Sequence, residues 1–251
     1  MLIGLLLLSA VPAWADGDFY VVAVGSGVGT KITSLPYTID KPGFYYLTGN
    51  LTCTSGNGIT INVTGVTIDL MGFSLDGKGV SQTGINNGVG WGNLEVRNGT
   101  LVGWNAGFLG GPSNRAINLR VENCNTGIDV SAASLVKGCM VVLRSVSSVK
   151  GIGCGGVITG NTVVIGEGVG IYGSGTISGN DVVSSNIGIK SDEDSSIIGN
   201  RINGTNYGLY LGKESAYSAK FLVTQNTASS YSTPFHSTPS AIVVNVNNAG
   251  F

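Results

Sequence analysis

The sequence predicts an all-β chain: a right-handed parallel β-helix, a single-stranded solenoid of about eight coils with a capping segment at each end. Three observations predict it. Gly followed by a large apolar residue recurs at Gly58-Ile59, Gly84-Ile85, Gly107-Phe108, Gly127-Ile128, Gly151-Ile152, Gly170-Ile171, Gly188-Ile189 and Gly208-Leu209, with spacings of 26, 23, 20, 24, 19, 18 and 20 residues. A second signal, Gly-Asn preceded by an apolar residue, recurs inside the later units at Ile158-Thr-Gly160-Asn161, Ile177-Ser-Gly179-Asn180 and Ile197-Ile-Gly199-Asn200. The third is composition. Gly is 41 of 251 residues, Pro only 6, and Val, Ile and Leu are interleaved with Ser, Thr, Asn and Gly. That is strand-and-turn chemistry. A fixed period near twenty means that one unit cannot bury its apolar face alone and must stack on its neighbours.

Along the chain, Met1 to Ala15 reads as a secretory signal. Leu2 to Leu8 is apolar, Pro12 breaks it, and Ala13-Trp14-Ala15 fits a small-x-small cleavage site. The run is too short to span a bilayer. The expected location is therefore secreted, periplasmic or at the cell surface, with no membrane span after cleavage. Residues 16–57 fall outside the repeat and are expected to form an N-terminal cap and lead-in strands. Residues 58–228 hold the coils. Residues 229–251 read as a polar, Pro-containing loop from Ser229 to Ser240, then a closing strand from Ala241 to Val246.

Each unit is expected to hold three short strands. One begins at Gly-Ile, a second ends at Gly-Asn, and a third follows the Asn corner, as at Val163-Val164 and Val182-Val183. Asn and Gly tolerate the left-handed conformation of a tight corner. Stacking places successive Asn about 4.8 Å apart, so that their amides bond along the rod. Val136-Lys-Gly138-Cys139 takes the same slot one unit earlier, and Val223-Thr-Gln225-Asn226 continues it. Cys139 is thus read as a packing residue. The four cysteines, Cys53, Cys124, Cys139 and Cys154, permit three disulfide connectivities in an exported chain. Their bland reading is as small core hydrophobes.

These repeats resemble those of the pectate-lyase-like superfamily of right-handed parallel β-helix proteins, and most of all its small exported members. The resemblance covers Gly58 to about Asn226. Two lead-in segments look similar as well, Pro36 to Leu51 and Val66 to Gly77. In that superfamily, substrates lie along the sheet that opens each coil. Here this implies the outward column after each Gly-Ile: Thr60, Asn86, Leu109, Asp129, Gly153, Tyr172, Lys190 and Tyr210, with Ser131, Ser174 and Asp192 one step beyond. Asp129, Tyr172, Lys190, Asp192 and Tyr210 are the candidate substrate-binding residues. Aromatic rings stack on sugar faces, and carboxylates accept from hydroxyls. Lys190, Tyr172 and Tyr210 are the weak catalytic candidates, since a lyase base among them needs a lowered pKa.

Asp192, Glu193 and Asp194 form an acidic run. It is read first as a solvated turn, with Ca2+ as the alternative ligand, because the run lacks the spacing of a defined cation loop. No cofactor is required. Trp91 and Trp104 lie in Gly-rich turns and are read as packing residues before stacking platforms.

The catalytic motifs of the superfamily are missing. There is no Asn-Thr-Asp, Asp-Asp or Gly-His-Gly, no Asp-His or Arg-x-Pro-x-x-Arg, and the single histidine, His236, falls in the polar C-terminal loop. Asp129 and Asp192 stand three coils apart, about 14 Å, too far for a hydrolase pair. The net charge is −1 and the thirteen Lys and Arg are scattered, which argues against nucleic acid as a partner. The expectation is an exported solenoid with a structural or carbohydrate-binding role. The alternatives are a polysaccharide lyase, hydrolase or epimerase with a divergent site, and a subunit of an extracellular fibre that joins rods by self-association.

Overall fold

The computed structural model describes residues 29–88, 90–144, 150–184, 186–204, 206–212, 218–229 and 232–250. The proposed signal, Met1 to Ala15, lies outside the described residues. The described chain is all-β, with parallel strands stacked into a solenoid of about nine turns. At the spacing of paired strands this is a rod of about 43 Å. None of the described residues forms a helix long and apolar enough to cross a membrane.

Each coil contributes to three sheets, as the repeat predicts. The unit from Gly151 shows the layout. Lys150–Thr159 runs through the first sheet, turns, and enters the second; Thr162–Ile165 follows in the third. The next unit repeats it with Val169–Ser178 and Asp181–Ser184. The two pair in strict register, Ile152 on Ile171, Ile158 on Ile177 and Val163 on Val182. Where the sequence lengthens the first corner, the long strand splits in two. Ile187–Ser191 and Ser195–Ile198 are separated by the turn Asp192 to Asp194. Ser191 Oγ and Ser195 Oγ hydrogen-bond at 2.7 Å and close the base of that turn.

The Gly-Ile signal has a packing cause at both residues. Ile59, Ile85, Phe108, Ile128, Ile152, Ile171, Ile189 and Leu209 are fully buried and form one column down the core. Each such side chain contributes about 1.5–3 kcal/mol by leaving water. The preceding glycines let consecutive coils approach. A Cβ on Gly127 would lie 2.3 Å from the carbonyl oxygen of Gly151, one on Gly151 2.5 Å from that of Gly170, and one on Gly170 2.7 Å from that of Gly188. No side chain fits there.

The Asn corner divides its labour differently from the expectation. The left-handed residue is the one before each member of the column, Cys139 or Asn: Gly138, Gly160, Gly179, Gly199, Gln225 and Asn247 all have φ between 52 and 64°. The Asn supplies only its side chain. Asn161 Nδ2 donates to Asn180 Oδ1, Asn180 to Asn200 and Asn200 to Asn226, each at 2.9 Å. Asn226 donates to Asn248 at 3.0 Å. Each Oδ1 also accepts the backbone N–H of the preceding column member, from Cys139 N on Asn161 to Asn226 N on Asn248. The second Nδ2 hydrogen reaches a backbone carbonyl, such as Ile158 O for Asn180 and Ile177 O for Asn200. The buried amides are fully partnered, which is the condition for burying them.

At the ends, only the stretch read as a polar loop departs from the sequence reading. The described part of the lead-in is made of strands. It joins the stack, with Thr30–Ile32 on Gly43–Leu47, Tyr37–Ile39 on Ile59–Ile61, and Leu51–Thr52 on Ser74–Asn86. Within the stretch read as a polar loop, Thr233–Ser237 is a strand of the first sheet on Tyr207–Leu211. The closing strand is Ile242–Val246, paired with Lys220–Thr224. The cysteines form no disulfide, and all four are buried.

Candidate functional site

The outward column of the first sheet is assembled as the spacing predicts. Thr60 pairs with Asn86, Asn86 with Leu109, Leu109 with Asp129, Asp129 with Gly153, Gly153 with Tyr172, Tyr172 with Lys190, and Lys190 with Tyr210. The structure extends it by one residue. Tyr210 pairs with His236, and their rings lie 4.6 Å apart between centroids. Tyr207 closes the cluster at 5.4 Å from Tyr210 and 5.6 Å from His236. His236 therefore belongs to the site face and not to a loop.

Along this column runs a groove of about 210 Å³. Asp129, Ser131, Lys150, Tyr172, Ser174, Asp192 and Glu193 supply its polar side chains. It exists because the column has a gap at Gly153. A Cβ there would meet Asp129 Oδ1 at 2.2 Å and Lys150 Cδ at 2.6 Å. Lys150 fills the gap from one side and holds both carboxylate oxygens of Asp129, at 3.1 and 3.0 Å. Sequence reasoning missed Lys150, which precedes the Gly-Ile signal. The glycine in an otherwise polar column was the trace it left.

Tyr172 is the central group. Its hydroxyl donates to Asp192 Oδ2 at 2.8 Å. Lys150 Nζ lies 5.2 Å from its ring centroid and Lys190 Nζ 5.5 Å, one ammonium from the coil before and one from the coil after. Lys190 also sits 5.4 Å from the Tyr210 ring. Cation–π contacts of this kind hold the ladder together. They also occupy the ring that the sequence reading offered to a sugar. Burial, and then the Asp192 carboxylate beside it, push the Tyr172 phenol up to about 12. That is the wrong direction for a general base at neutral pH.

The acidic turn is used by its own neighbours. Besides the Tyr172 bond, Asp192 Oδ1 faces Lys190 Nζ at 3.6 Å, Asp194 Oδ1 accepts from Lys220 N at 2.8 Å, and the Glu193 carbonyl accepts from Ser191 and Ser195. Among the described residues, no three His, Cys, Asp or Glu side chains gather where they could hold a metal ion. Cys154 also lines the groove, but burial pushes its thiol up to about 12, so it is a wall and not a nucleophile.

A second groove of about 350 Å³ continues the first toward the N-terminal end and shares Asp129 and Ser131 with it. Asn86, Asn87, Gly88, Gly90, Gly110 and Gly111 line it. The two tryptophans separate here. Trp104 is buried, and its Nε1 donates to Leu75 O at 3.0 Å. Trp91 is 40% exposed on the loop that borders the second groove, where its carbonyl accepts from Asn87 Nδ2.

Two buried acceptors in these grooves receive no hydrogen bond: Asn87 Oδ1 in the second, and Asp192 Oδ1 in the first, where the Lys190 ammonium stands at 3.6 Å as an ion-pair partner only. Their coils are five register steps apart, about 24 Å along the rod. Compared with family models, curated proteins and solved structures, the chain matches none of them.

Proposed function

We propose that this chain is a carbohydrate-binding solenoid of an exported protein, related in architecture to the pectate-lyase-like β-helices, and that it holds a glycan along the connected grooves without cleaving it. The observation that carries this reading is the pair of buried acceptors that receive no hydrogen bond, Asn87 Oδ1 and, beside the Lys190 ammonium, Asp192 Oδ1, in two grooves joined through Asp129 and Ser131. An unmet buried acceptor costs about 1–3 kcal/mol, and hydroxyl donors from an extended chain of sugars would meet both. Ser131 and Ser174 add hydroxyls between them. The stacking platform is then Trp91 at the groove border, since Tyr172 is already enclosed by lysines.

The test is a glycan array followed by titration calorimetry on the leading polysaccharide. Asp192→Ala should weaken binding about tenfold or more, and Asn87→Leu about fivefold, from the range for charged and neutral hydrogen bonds. No binding to any neutral or acidic glycan would sink the reading.

One observation favours a second reading, a polyuronate lyase. His236 stands against Tyr210, with Lys190 over the same ring. Such a site has a base and a cation near each other. It would release unsaturated products from a polyuronate, and His236→Ala would abolish that release while leaving binding at the Asp192 groove intact.

A further inference from the structure

The charged side chains of the two grooves do not balance. Asp129, Asp192 and Glu193 line the first groove, and Lys150 is the one cation that does so among the described residues. The second groove adds no cation among them, and Asp129 is the charged residue it shares with the first. Lys150 is already committed, because its ammonium holds both oxygens of Asp129 at 3.1 and 3.0 Å. Lys190 faces Asp192 at 3.6 Å and is enclosed by the rings of Tyr172 and Tyr210. That leaves Glu193. It is exposed, and its backbone carbonyl accepts from Ser191 and Ser195, but its carboxylate makes no hydrogen bond or ion pair among the described residues.

The Tyr172 phenol registers the sum of these charges. Burial comes first, and then the carboxylates of Asp192, Glu193 and Asp129 all push it up. They do so although the ammonium groups of Lys150 and Lys190 lie 5.2 and 5.5 Å from its ring centroid. The potential at the middle of the first groove is therefore negative. The open polar groups are acceptors as well: Asn87, 1% exposed, and Asp192 each present an Oδ1 that receives no hydrogen bond.

Resting on the carbohydrate-binding reading above, we infer that the grooves select glycans whose sugars carry hydroxyls and no carboxylates, and that Glu193 sets this preference. A sugar hydroxyl donates to an open acceptor, whereas an ionised uronate can only accept. Laid against Tyr172, a uronate would meet three carboxylates and no cation free to neutralise it. Two of the three are offset, Asp129 by Lys150 and Asp192 by Lys190. Glu193 supplies the excess negative charge. One such like charge at about 4 Å weakens binding about fivefold even at the dielectric of water.

The experiment is titration calorimetry on the full chain with oligosaccharides of glucose, mannose and galactose, each in three forms. One is the neutral oligomer, one is the same oligomer oxidised at C6 to carboxylates, and one is the methyl ester of that acid, which keeps the bulk and loses the charge. Oxidation should weaken binding about fivefold or more, and esterification should restore most of it. Glu193→Gln should remove most of the difference between the neutral and oxidised forms. Salt at 1 M should do the same in the unmodified protein, because the Debye length falls to about 3 Å. Circular dichroism of Glu193→Gln checks that the exposed substitution leaves the fold in place. An oxidised oligomer that binds as tightly as the neutral one, an ester as weak as the acid, or a ratio that Glu193→Gln does not move would each overturn the inference and leave a glycan-binding groove standing. No binding to any glycan on the array would remove that groove, and the preference with it.

Discussion

Tyr172 Oη donates to Asp192 Oδ2 at 2.8 Å, across one step of the solenoid. The bond does two things at once. It fixes the acidic turn over the groove, and it leaves Asp192 Oδ1 with the Lys190 ammonium at 3.6 Å and no hydrogen bond of its own. It also makes the phenol harder to ionise, because a phenolate would sit beside a carboxylate.

This gives a pH prediction with a definite sign. The folded-state value of Tyr172, about 12, is above its ordinary 10.0. The contribution to stability is therefore fully present below pH 10 and is lost as the pH rises toward 12. Burial is the larger cause and Asp192 the next. Asp192→Asn should thus lower the phenol only part of the way. Ultraviolet difference titration against Tyr172→Phe measures it. A return all the way to the ordinary value, or no movement, would refute the assignment of causes.

The amide ladder gives a position-dependent prediction. Asn180→Leu removes the acceptor of Asn161 N and Asn161 Nδ2 and the donor to Ile158 O. Asn161→Leu leaves only Cys139 N and Val136 O unmet, since Asn180 Oδ1 loses the Asn161 amide but keeps the backbone N–H of residue 161. With about 1 kcal/mol for each group left unmet, Asn180→Leu should cost about 3 kcal/mol and Asn161→Leu about 2. Urea midpoints decide it. The apolar start of the column, at Leu119 and Cys139, shows why the order matters: neither offers a side-chain amide that Asn161 must complete. Equal losses at the two positions would show that the ladder bonds do not act individually.

The same residues show how far the sequence could be read. The central coils were legible because two constraints recur there, a glycine where coils touch and an asparagine where the chain turns. The ends were not, because those constraints relax. Pro234 and Pro36 stand where the register calls for the glycine, beside Phe235 and Tyr37 in the inward column. At Pro234 no described coil follows for a side chain to strike. Asn248 completes the ladder but lacks the apolar residue of the motif: Asn245 takes that place and accepts from Asn248 Nδ2. The outward column was predicted residue by residue from the period of the strand. Its chemistry was not, because Lys150 reaches in from outside the motif and Tyr172 is enclosed by cations that only three-dimensional stacking brings together.

Two glycines two residues apart should therefore respond in opposite ways to the same substitution. Gly151→Ala drives a methyl to 2.5 Å from the Gly170 carbonyl and 2.6 Å from Val163 Cγ1, inside the core and against backbone that cannot move without opening the coils. Overpacking of this kind costs about 1–3 kcal/mol, so its unfolding midpoint should fall. At Gly153 the nearest atoms are Asp129 Oδ1 and Lys150 Cδ, outer parts of two partly exposed side chains. Gly153→Ala should fold with a midpoint close to the parent, while displacing the Lys150–Asp129 pair and narrowing the groove. Its effect should appear in glycan affinity and not in stability. A Gly153→Ala protein as unstable as Gly151→Ala would mean that the gap in the column is a packing requirement of the rod, and the groove would lose its claim to be a built feature.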